Sequence, residues 1–245
     1  MTAADRLARE AAFHDARFGG EMVRDAQDKY YRAIGHGRAA YEARVRALSA
    51  GADVLELGSA TGDDMARLAG DARSALGIDA SAEAVRQARA AVPGARFALG
   101  DAEATGLPDE DLDLVFGAGI VHHLDVAAVG AEAARILRPG GRAVFWEPLG
   151  HNLAFEAYRR LTPAARTPDE HPLRRADVRT LEAAIGPVSV RLFGLATLAC
   201  VPLGGGAAGR AARRVLAPLD RALLSVPGLR WQAWYALIDF SRSPR

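Results

Sequence analysis

The chain has 245 residues, of which half are hydrophobic and a quarter charged, and its formal net charge is +1. This composition is typical of a globular protein with a sizeable core, and it excludes a disordered or fibrous chain. A net charge so close to zero gives no electrostatic support for a nucleic-acid partner. We therefore expect a single large domain over residues 1–245.

Cysteine usage and the N-terminal residues bear on the compartment. Cys200 is the only cysteine, so no disulfide can form within one chain, as is usual in a reducing cytoplasm. Residues 1–6 are not followed by the apolar stretch that a signal peptide requires. These features predict a cytoplasmic protein.

Residues 1–50 precede the first predicted strand and have a helical pattern, with breaks expected at Gly19-Gly20 and at Gly35-His36-Gly37. A leading helical segment cannot join the central sheet, so it must cover an edge or a site. We predict that residues 1–50 form an N-terminal helical cap. Tyr30 and Tyr31 are candidate substrate-binding residues, and packing of both rings in the core of an amphipathic helix is the alternative.

Residues 51–147 alternate between apolar runs and amphipathic segments. We expect strands at 53–57, 74–79, 95–99, 112–117 and 142–147, and helices at 61–69, 81–91 and 126–137. Pro139-Gly140-Gly141 should end the last of these helices. Such alternation requires a mainly parallel sheet with helices on both faces, and ligands then bind at the carboxyl ends of the strands.

The rest of the chain continues this pattern less regularly. Residues 148–186 are expected to form an inserted helical lid, and residues 187–245 the C-terminal strands and helices. The predicted elements are helices at 152–161 and 175–185 around a proline-containing loop, a strand at 187–194, helices at 209–224 and 229–235, and a last strand at 236–240. The sequence therefore predicts an α/β fold in which helices flank the sheet.

One turn within residues 51–147 carries the features expected of a ligand-binding site. Residues 54–62 form an apolar run that ends in a turn of small residues, and a second apolar run ends at Asp79. Glycines at Gly58 and Gly62 allow the backbone to approach a ligand closely. Asp79 follows the turn by roughly 20 residues, where a carboxylate accepts hydrogen bonds from ribose hydroxyls. The pattern predicts a nucleotide-binding βαβ unit.

The spacing of the turn indicates which nucleotide. Gly58-x-x-x-Gly62 lacks the third glycine of a dinucleotide fingerprint, and no phosphate-loop Gly-Lys-Ser/Thr is present. Carboxylates occur beside the turn at Glu56, Asp63 and Asp64. They would repel a pyrophosphate but suit a ligand with a cationic amine or sulfonium. We therefore favour S-adenosylmethionine (SAM) as the cofactor.

Four motifs in order resemble the successive motifs of class I SAM-dependent methyltransferases, of a small-molecule type similar to the ubiquinone/menaquinone methyltransferase group. They are Glu56-x-Gly58-x-x-x-Gly62, Gly77-Ile78-Asp79, Gly100-Asp101-Ala102 and Leu137-Arg138-Pro139-Gly140-Gly141. Ala60 stands where many members have a further glycine, and alanine is still small. The resemblance implies a Rossmann-like, doubly wound, mainly parallel seven-stranded sheet with helical caps, whose last strand is antiparallel. An ordinary βα turn in a Rossmann-like protein that does not bind SAM is the alternative.

The resemblance also implies a set of cofactor-binding residues. The turn would cradle the methionine part of SAM, Asp79 would bind the ribose, and Asp101 and Ala102 would meet the adenine. Glu56 would face the amine or orient the turn, and Asp101 has the alternative role of a helix N-cap. The full predicted set is Glu56, Gly58, Ser59, Ala60, Thr61, Gly62, Asp79, Ala80, Asp101, Ala102, Gly117 and Ala118.

The catalytic candidates follow the fourth and fifth strands. His122 and His123 come at the carboxyl end of the fourth strand, where methyl donor and acceptor should meet, and histidine is a natural base near neutral pH. Glu147 ends the fifth strand and would orient one histidine. Structural roles for both histidines are the alternative. His151 is a candidate substrate-binding residue, and the spacing of His, Asp and Glu gives no reason to expect a metal ion.

The predicted reaction is methyl transfer to a lipophilic small molecule, an apolar or aromatic acceptor, with a histidine as base. The chain is rich in arginine and alanine, and Lys29 is its only lysine. This composition resembles that of proteins from GC-rich bacteria and favours a secondary metabolite as the acceptor. One alternative is a membrane-associated quinone or lipid methyltransferase with peripheral membrane contact through residues 196–225, which combine an uncharged stretch with a basic amphipathic helix. Another is a SAM-binding cyclase or a non-methylating SAM-binding protein. The sequence leaves the oligomeric state open.

Overall fold

The structure is a computed structural model that describes residues 3–20, 28–161 and 170–243. Residues 21–27 of the expected N-terminal helices and residues 162–169 of the expected proline-containing loop lie outside these ranges.

Seven strands in the described ranges form a single mixed sheet of order β3-β2-β1-β4-β5-β7-β6. The strands are β1 (Asp53–Leu57), β2 (Ser74–Asp79), β3 (Arg96–Leu99), β4 (Leu112–Ala118), β5 (Leu137–Pro148), β6 (Val188–Phe193) and β7 (Tyr235–Ser241). The pairs among β1 to β5 are parallel, whereas β7 lies antiparallel between β5 and β6. This arrangement confirms the Rossmann-like α/β fold, including its antiparallel last strand.

The α-helices lie on both faces of the sheet. They are α1 (Ala3–Phe18), α2 (Asp28–Ala33), α3 (Gly35–Ser49), α4 (Asp63–Leu68), α5 (Ala82–Ala91), α6 (Val126–Ile136), α7 (Leu153–Leu161), α8 (Arg175–Ile185) and α9 (Ala207–Ser225). Short 3-10 helices occur at Val121–His123, Ala196–Leu203 and Arg230–Gln232. The strand order reverses between β1 and β4, and this is the switch point at which such sheets bind ligands.

The core consists of two apolar layers, one on each face of the sheet. Successive side chains of a strand point to opposite faces, so Val54 belongs to one layer and its neighbour Leu55 to the other. The layer with Val54 also contains residues of α3, α4 and α5, and the layer with Leu55 contains residues of α6 and α8. Both faces of the sheet are therefore covered, as the apolar strands require.

Two predicted element boundaries were wrong, and tertiary contacts explain both. Gly37 lies inside α3 and does not break it, because a Cβ there would come within 2.6 Å of the Phe193 and Trp146 rings. Gly37 therefore allows α3 to pack closely against the sheet. β5 begins at Leu137, before the Pro139-Gly140-Gly141 segment, because Leu137 already pairs with Leu112 across a register shift.

The segment after β6 also differs from the prediction. The expected helix at 229–235 is a 3-10 turn, because Tyr235 already pairs with Pro148 and Phe193 as the first residue of β7. Before it, buried Asp220 of α9 accepts hydrogen bonds from the backbone N–H groups of residues 194–197. These bonds hold α9 against the sheet. In the part of the chain that the structure describes, no helix combines the length and apolarity needed to span a bilayer.

Candidate functional site

A cavity of about 310 Å³ lies at the carboxyl ends of the strands that flank the switch point. Eight of the predicted cofactor-binding residues line it: Gly58, Ala60, Thr61, Asp79, Ala80, Asp101, Ala102 and Ala118. α1 covers the cavity and contributes Leu7, Glu10, His14 and Arg17. Nothing in the motif pattern pointed to these α1 residues, because they precede the first strand by about forty positions.

The turn after β1 is held against the end of β2 by Asp79. The backbone N–H of Ala60 donates to Oδ2 of Asp79 at 2.9 Å, and that of Ser81 donates to Oδ1 at 2.8 Å. Each carboxylate oxygen keeps a second lone pair, so Asp79 can still accept hydrogen bonds from a ligand. Gly58 has φ +66°, and a Cβ there would lie 2.8 Å from the Ile120 side chain, so the tight turn requires glycine.

Asp101 also lines this cavity. Its Oδ1 accepts a hydrogen bond from the Glu103 backbone N–H at 2.8 Å, and no helix follows, so it stabilises a turn and is not a helix N-cap. Glu103 forms an ion pair with Arg6 of α1 and accepts a hydrogen bond from the Asp125 backbone N–H at 2.7 Å. This part of the cavity wall is therefore tied to the helix that covers it.

Four of the predicted cofactor-binding residues are not among the described residues that line this cavity: Glu56, Ser59, Gly62 and Gly117. Glu56 is buried beneath the turn, where it accepts a hydrogen bond from the Met65 backbone and burial raises its pKa well above the ordinary value. It therefore orients the turn and α4, one of the two roles expected for it. The backbone N–H of Ser59 donates to Ile78 at 3.0 Å, which joins β1 to β2.

Gly62 and Gly117 contact the turn and the end of β1 without lining the cavity. The Gly62 N–H donates to the Ser59 carbonyl at 2.8 Å and closes the turn. A Cβ on Gly117 would lie 2.8 Å from the Leu57 carbonyl oxygen. Both residues thus act on the shape of the cavity from outside its wall.

His122 and Glu147 form a buried pair at the carboxyl ends of β4 and β5. Nδ1 of His122 lies 2.8 Å from Oε2 of Glu147, whose Oε1 accepts the backbone N–H groups of Ile120 and Val121 at 2.9 Å each. Burial, and then the charge of His123, lower the pKa of His122. A neutral imidazole that donates from Nδ1 to a carboxylate carries its lone pair on Nε2. The structure thus brings the predicted pair into contact, and the orienting role of Glu147 stays a prediction.

His123 faces a different set of groups. Its Nδ1 lies 3.1 Å from Oε2 of Glu10, and Nε2 of His14 lies 3.6 Å from the same oxygen. On the other side, the ring centroids of His122 and His123 are 4.2 Å apart. Sequence reasoning missed Glu10 and His14, although their i, i+4 spacing places them on one face of a helix and was a usable signal.

A second cavity, of about 700 Å³, adjoins the first and shares with it His14, Arg17, Ala118, Gly119 and His123. Aromatic rings form one part of its wall: Tyr30, Tyr31, Trp146, Phe155, Trp234 and Tyr235. Charged side chains form another part: Arg17, Arg32, Arg38, Glu42, Arg67, Arg159 and Glu170. The Phe155 and Trp234 rings stack at 4.4 Å with an interplanar angle of 4°, and Tyr30 meets Phe155 edge-on at 5.8 Å. His122 also lines this cavity, whereas Glu147 lies behind it, fully buried.

His151 is the one predicted substrate-binding residue that the structure places elsewhere. Of the described residues that line the two cavities, none is His151. Its ring centroid lies 5.7 Å from that of Trp231. Asn152 explains this orientation, because its Nδ2 donates to the Gln232 carbonyl at 2.7 Å while its Oδ1 accepts the Phe155 N–H at 3.2 Å and caps α7. The chain at 151–152 is thus fixed against the 3-10 turn and away from the cavity.

Comparison with known proteins shows what the central part of this chain is similar to. Residues 55–145 match a family model described as a methyltransferase domain. An uncharacterized methyltransferase of Mycobacterium bovis is 39% identical over 36% of this chain and 37% of its own length. Demethylmenaquinone methyltransferase of Beutenbergia cavernae is 30% identical over 57% of this chain and 62% of its own length. The chain therefore spans less than two thirds of either relative.

Among solved structures, geranyl diphosphate C-methyltransferase from Streptomyces coelicolor, in complex with Mg²⁺, geranyl diphosphate and S-adenosyl-L-homocysteine, has the same fold. Its TM-score to this chain is 0.67, with 12% sequence identity, and the alignment covers 99% of this chain and all of that one. At this identity the likeness is one of fold.

Proposed function

Because residues 55–145 belong to the class I SAM-dependent methyltransferase domain family, whose cofactor is SAM, we propose that this protein transfers the methyl group of SAM to a lipophilic small molecule. Its main support is the pair of adjoining cavities, one at the nucleotide-binding turn and one walled in part by aromatic rings. A donor in the first cavity and an acceptor in the second would meet at Ala118, Gly119 and His123. We further propose that the whole chain works as one catalytic domain.

In this proposal, the cofactor is held by the residues that line the smaller cavity. Asp79 binds the ribose hydroxyls, Asp101 and the Ala102 N–H meet the adenine, and the turn at Gly58 to Thr61 carries the methionine part. The larger cavity suits a flat or branched apolar acceptor, because aromatic rings offer large apolar faces at fixed geometry. Tyr30 and Tyr31 contact this acceptor, and a bacterial secondary metabolite is the class that we propose first.

The reaction is an in-line attack of the acceptor on the methyl carbon. A bond forms from the acceptor oxygen to that carbon while the carbon–sulfur bond breaks, and the electron pair goes to sulfur, which leaves as a neutral thioether. The acceptor hydroxyl loses its proton to Nε2 of His122, which Glu147 holds through Nδ1. The protein otherwise aligns the two reactants and excludes water.

Product analysis tests the proposal. The purified protein is incubated with methyl-labelled SAM and a panel of phenolic and quinone acceptors, and products are identified by mass spectrometry. We expect S-adenosylhomocysteine together with a methylated product. Tight SAM binding with no S-adenosylhomocysteine across the panel would instead support the SAM-binding cyclase or non-methylating alternative. Calorimetry with SAM and NAD side by side separates both from a dinucleotide enzyme.

The roles of His122 and Glu147 are tested by kinetics. Replacing His122 by alanine should lower kcat at least 100-fold at unchanged SAM affinity, in line with the usual contribution of a general base. Glu147→Gln removes the charge and leaves one accepting oxygen for the groups that both carboxylate oxygens now hold. Because the imidazole itself stays in place, we expect a smaller loss, about tenfold in kcat, with KM unchanged. An equal loss in both variants through KM alone would contradict this division of roles.

A second candidate function, methylation of a membrane-borne quinone or lipid, is favoured by the outer face of α9. Arg210, Arg214 and Arg221 form one exposed stripe along this helix. Val215 and Leu219 of the same helix are 72% and 45% exposed and lie farther round its solvent-facing side. Basic residues together with exposed apolar ones are typical of helices that lie on anionic membranes, and residues 196–225 would then be the contact region.

Vesicle sedimentation distinguishes the two candidates. For a membrane-associated enzyme we expect sedimentation with vesicles of an anionic phospholipid but not with neutral ones, and loss of sedimentation in a Val215→Asp/Leu219→Asp double variant. Leu229→Asp is a matched control, since Leu229 is also exposed but lies beyond α9. Failure of the parent to sediment with anionic vesicles would leave the acceptor as a water-borne small molecule.

A further inference from the structure

Three potential metal ligands converge where the two cavities meet. Glu10 and His14 come from consecutive turns of α1, and His123 comes from the 3-10 helix after β4. One ligand atom of each lies within 4.8 Å of the other two. The Glu10 side chain is almost completely buried, that of His123 is 11% exposed and that of His14 is 21% exposed, so the cluster is largely shielded from solvent.

The distances match a metal centre. With metal–ligand bonds of 2.0–2.1 Å, as zinc forms with imidazole and carboxylate, the ligand atoms of a tetrahedral site are about 3.3–3.4 Å apart. Oε2 of Glu10 lies 3.1 Å from Nδ1 of His123 and 3.6 Å from Nε2 of His14. Although Nδ1 of His123 is buried and this close to a carboxylate, it makes no hydrogen bond with a described residue. A cation shared by the two atoms would give this buried nitrogen a partner.

We propose that Glu10, His14 and His123 bind a divalent transition-metal ion of the class of Zn²⁺ or Co²⁺. Two imidazoles and one carboxylate suit these ions better than Mg²⁺ or Ca²⁺, which prefer oxygen ligands. Three protein ligands leave one tetrahedral position open, as in catalytic zinc sites. His14 and His123 line both cavities, so that position faces the junction between cofactor and acceptor.

The proposed ion has a role in the methyl transfer, and that role rests on the proposed function. A cation at the junction would bind and polarise an acceptor oxygen beside the methyl group. The site supplies a single negative charge, from Glu10, so an acceptor that ligates as an anion, such as a phenolate, would balance the ion. The metal site thus favours an oxygen acceptor over a carbon or nitrogen one. Metal binding itself does not depend on this step.

A second cluster competes for the same histidine. One ligand atom each of His122, His123 and Glu170 also lie within 4.8 Å of one another. In that cluster, however, Nδ1 of His122 is already engaged by Glu147. We therefore assign the ion to the α1 side of His123, and the experiment includes a variant that tests the other side.

Metal titration tests the assignment without any substrate. The full chain is treated with chelator, and Zn²⁺ binding is followed by calorimetry and Co²⁺ binding by its visible absorption. We expect one ion per chain in the parent and at least tenfold weaker binding in both Glu10→Gln and His14→Ala. His151→Ala is the matched control, because this half-buried histidine lies outside both cavities, and it should bind as the parent does.

Two results would overturn the assignment. The first is no saturable binding of either ion by the parent at micromolar concentration. The second is parent-like binding in Glu10→Gln and His14→Ala, with loss only in Glu170→Gln, which would place the ion on the other side of His123. Thermal unfolding checks that each variant is folded. SAM binding by the chelator-treated protein is measured in parallel, so failure of the metal site and of the cofactor assignment are distinguishable.

Discussion

Replacement of Asp79 gives the sharpest test of the cofactor assignment. Its two carboxylate oxygens each accept one backbone N–H, from Ala60 at 2.9 Å and from Ser81 at 2.8 Å, and each retains a lone pair toward the cavity. Asp79→Asn replaces one oxygen by an NH₂ group. That group cannot accept, so one ribose hydrogen bond is lost and one backbone N–H faces another donor.

The magnitude follows from the kind of bond lost. A hydrogen bond to a charged group contributes about 1.5–3 kcal/mol, and each 1.4 kcal/mol is a factor of ten in affinity. We therefore expect Asp79→Asn to bind SAM about 10- to 150-fold more weakly than the parent. Asp79→Ala removes both ribose contacts and should lose about twice that free energy.

Calorimetric titration with SAM and S-adenosylhomocysteine measures the effect. Asp64→Asn is a suitable control, because Asp64 lies near the same turn but forms ion pairs with Arg38 and Arg67. It is not among the described residues that line the smaller cavity. If Asp79→Ala binds SAM within threefold of the parent, the ribose is not held at the end of β2. The ligand position would then need to be reassigned.

His123→Ala should reduce turnover less than His122→Ala at equal SAM affinity, measured by single-turnover kinetics on chelator-treated protein so that loss of the proposed ion does not contribute, and the reverse order would exchange their roles. Gly58→Ala forces a Cβ against Ile120 at φ +66°, so we expect a loss of about 1–3 kcal/mol in unfolding free energy together with weaker SAM binding; a denaturant midpoint equal to the parent's would contradict this. Asp220→Ala leaves the backbone N–H groups of residues 194–197 without their acceptor, and we expect at least about 3 kcal/mol of destabilisation by urea unfolding, since each buried unsatisfied group costs about 1–3 kcal/mol.

Local patterns made part of this molecule readable from the sequence. The bounds of α8, 175–185, agree with the prediction because its apolar period is uninterrupted and Gly186 follows it directly. The strand, small-residue turn and acid that end at Asp79 are likewise local, since each depends on backbone geometry within a few residues. Gly58 and Asp79 therefore stand where the motif predicted, at the carboxyl ends of β1 and β2.

Contacts between distant segments could not be read in the same way. Phe155 and Trp234 are almost eighty residues apart, yet their rings stack in the wall of the larger cavity. Glu10 and His123 meet only because α1 covers the carboxyl ends of β1 and β4. No spacing rule links such pairs, since the path of the intervening chain decides whether they meet.

The sequence alone therefore determined the fold class, the cofactor and the local shape of the nucleotide-binding turn, because backbone conformation and apolar period are properties of short segments. The tertiary structure decided which side chains face the cavities. It turned Glu56 beneath the turn, directed His151 toward Trp231, and brought α1 onto His123. Side-chain direction at a site depends on the packing of all the elements around it, and that packing exists only in the folded chain.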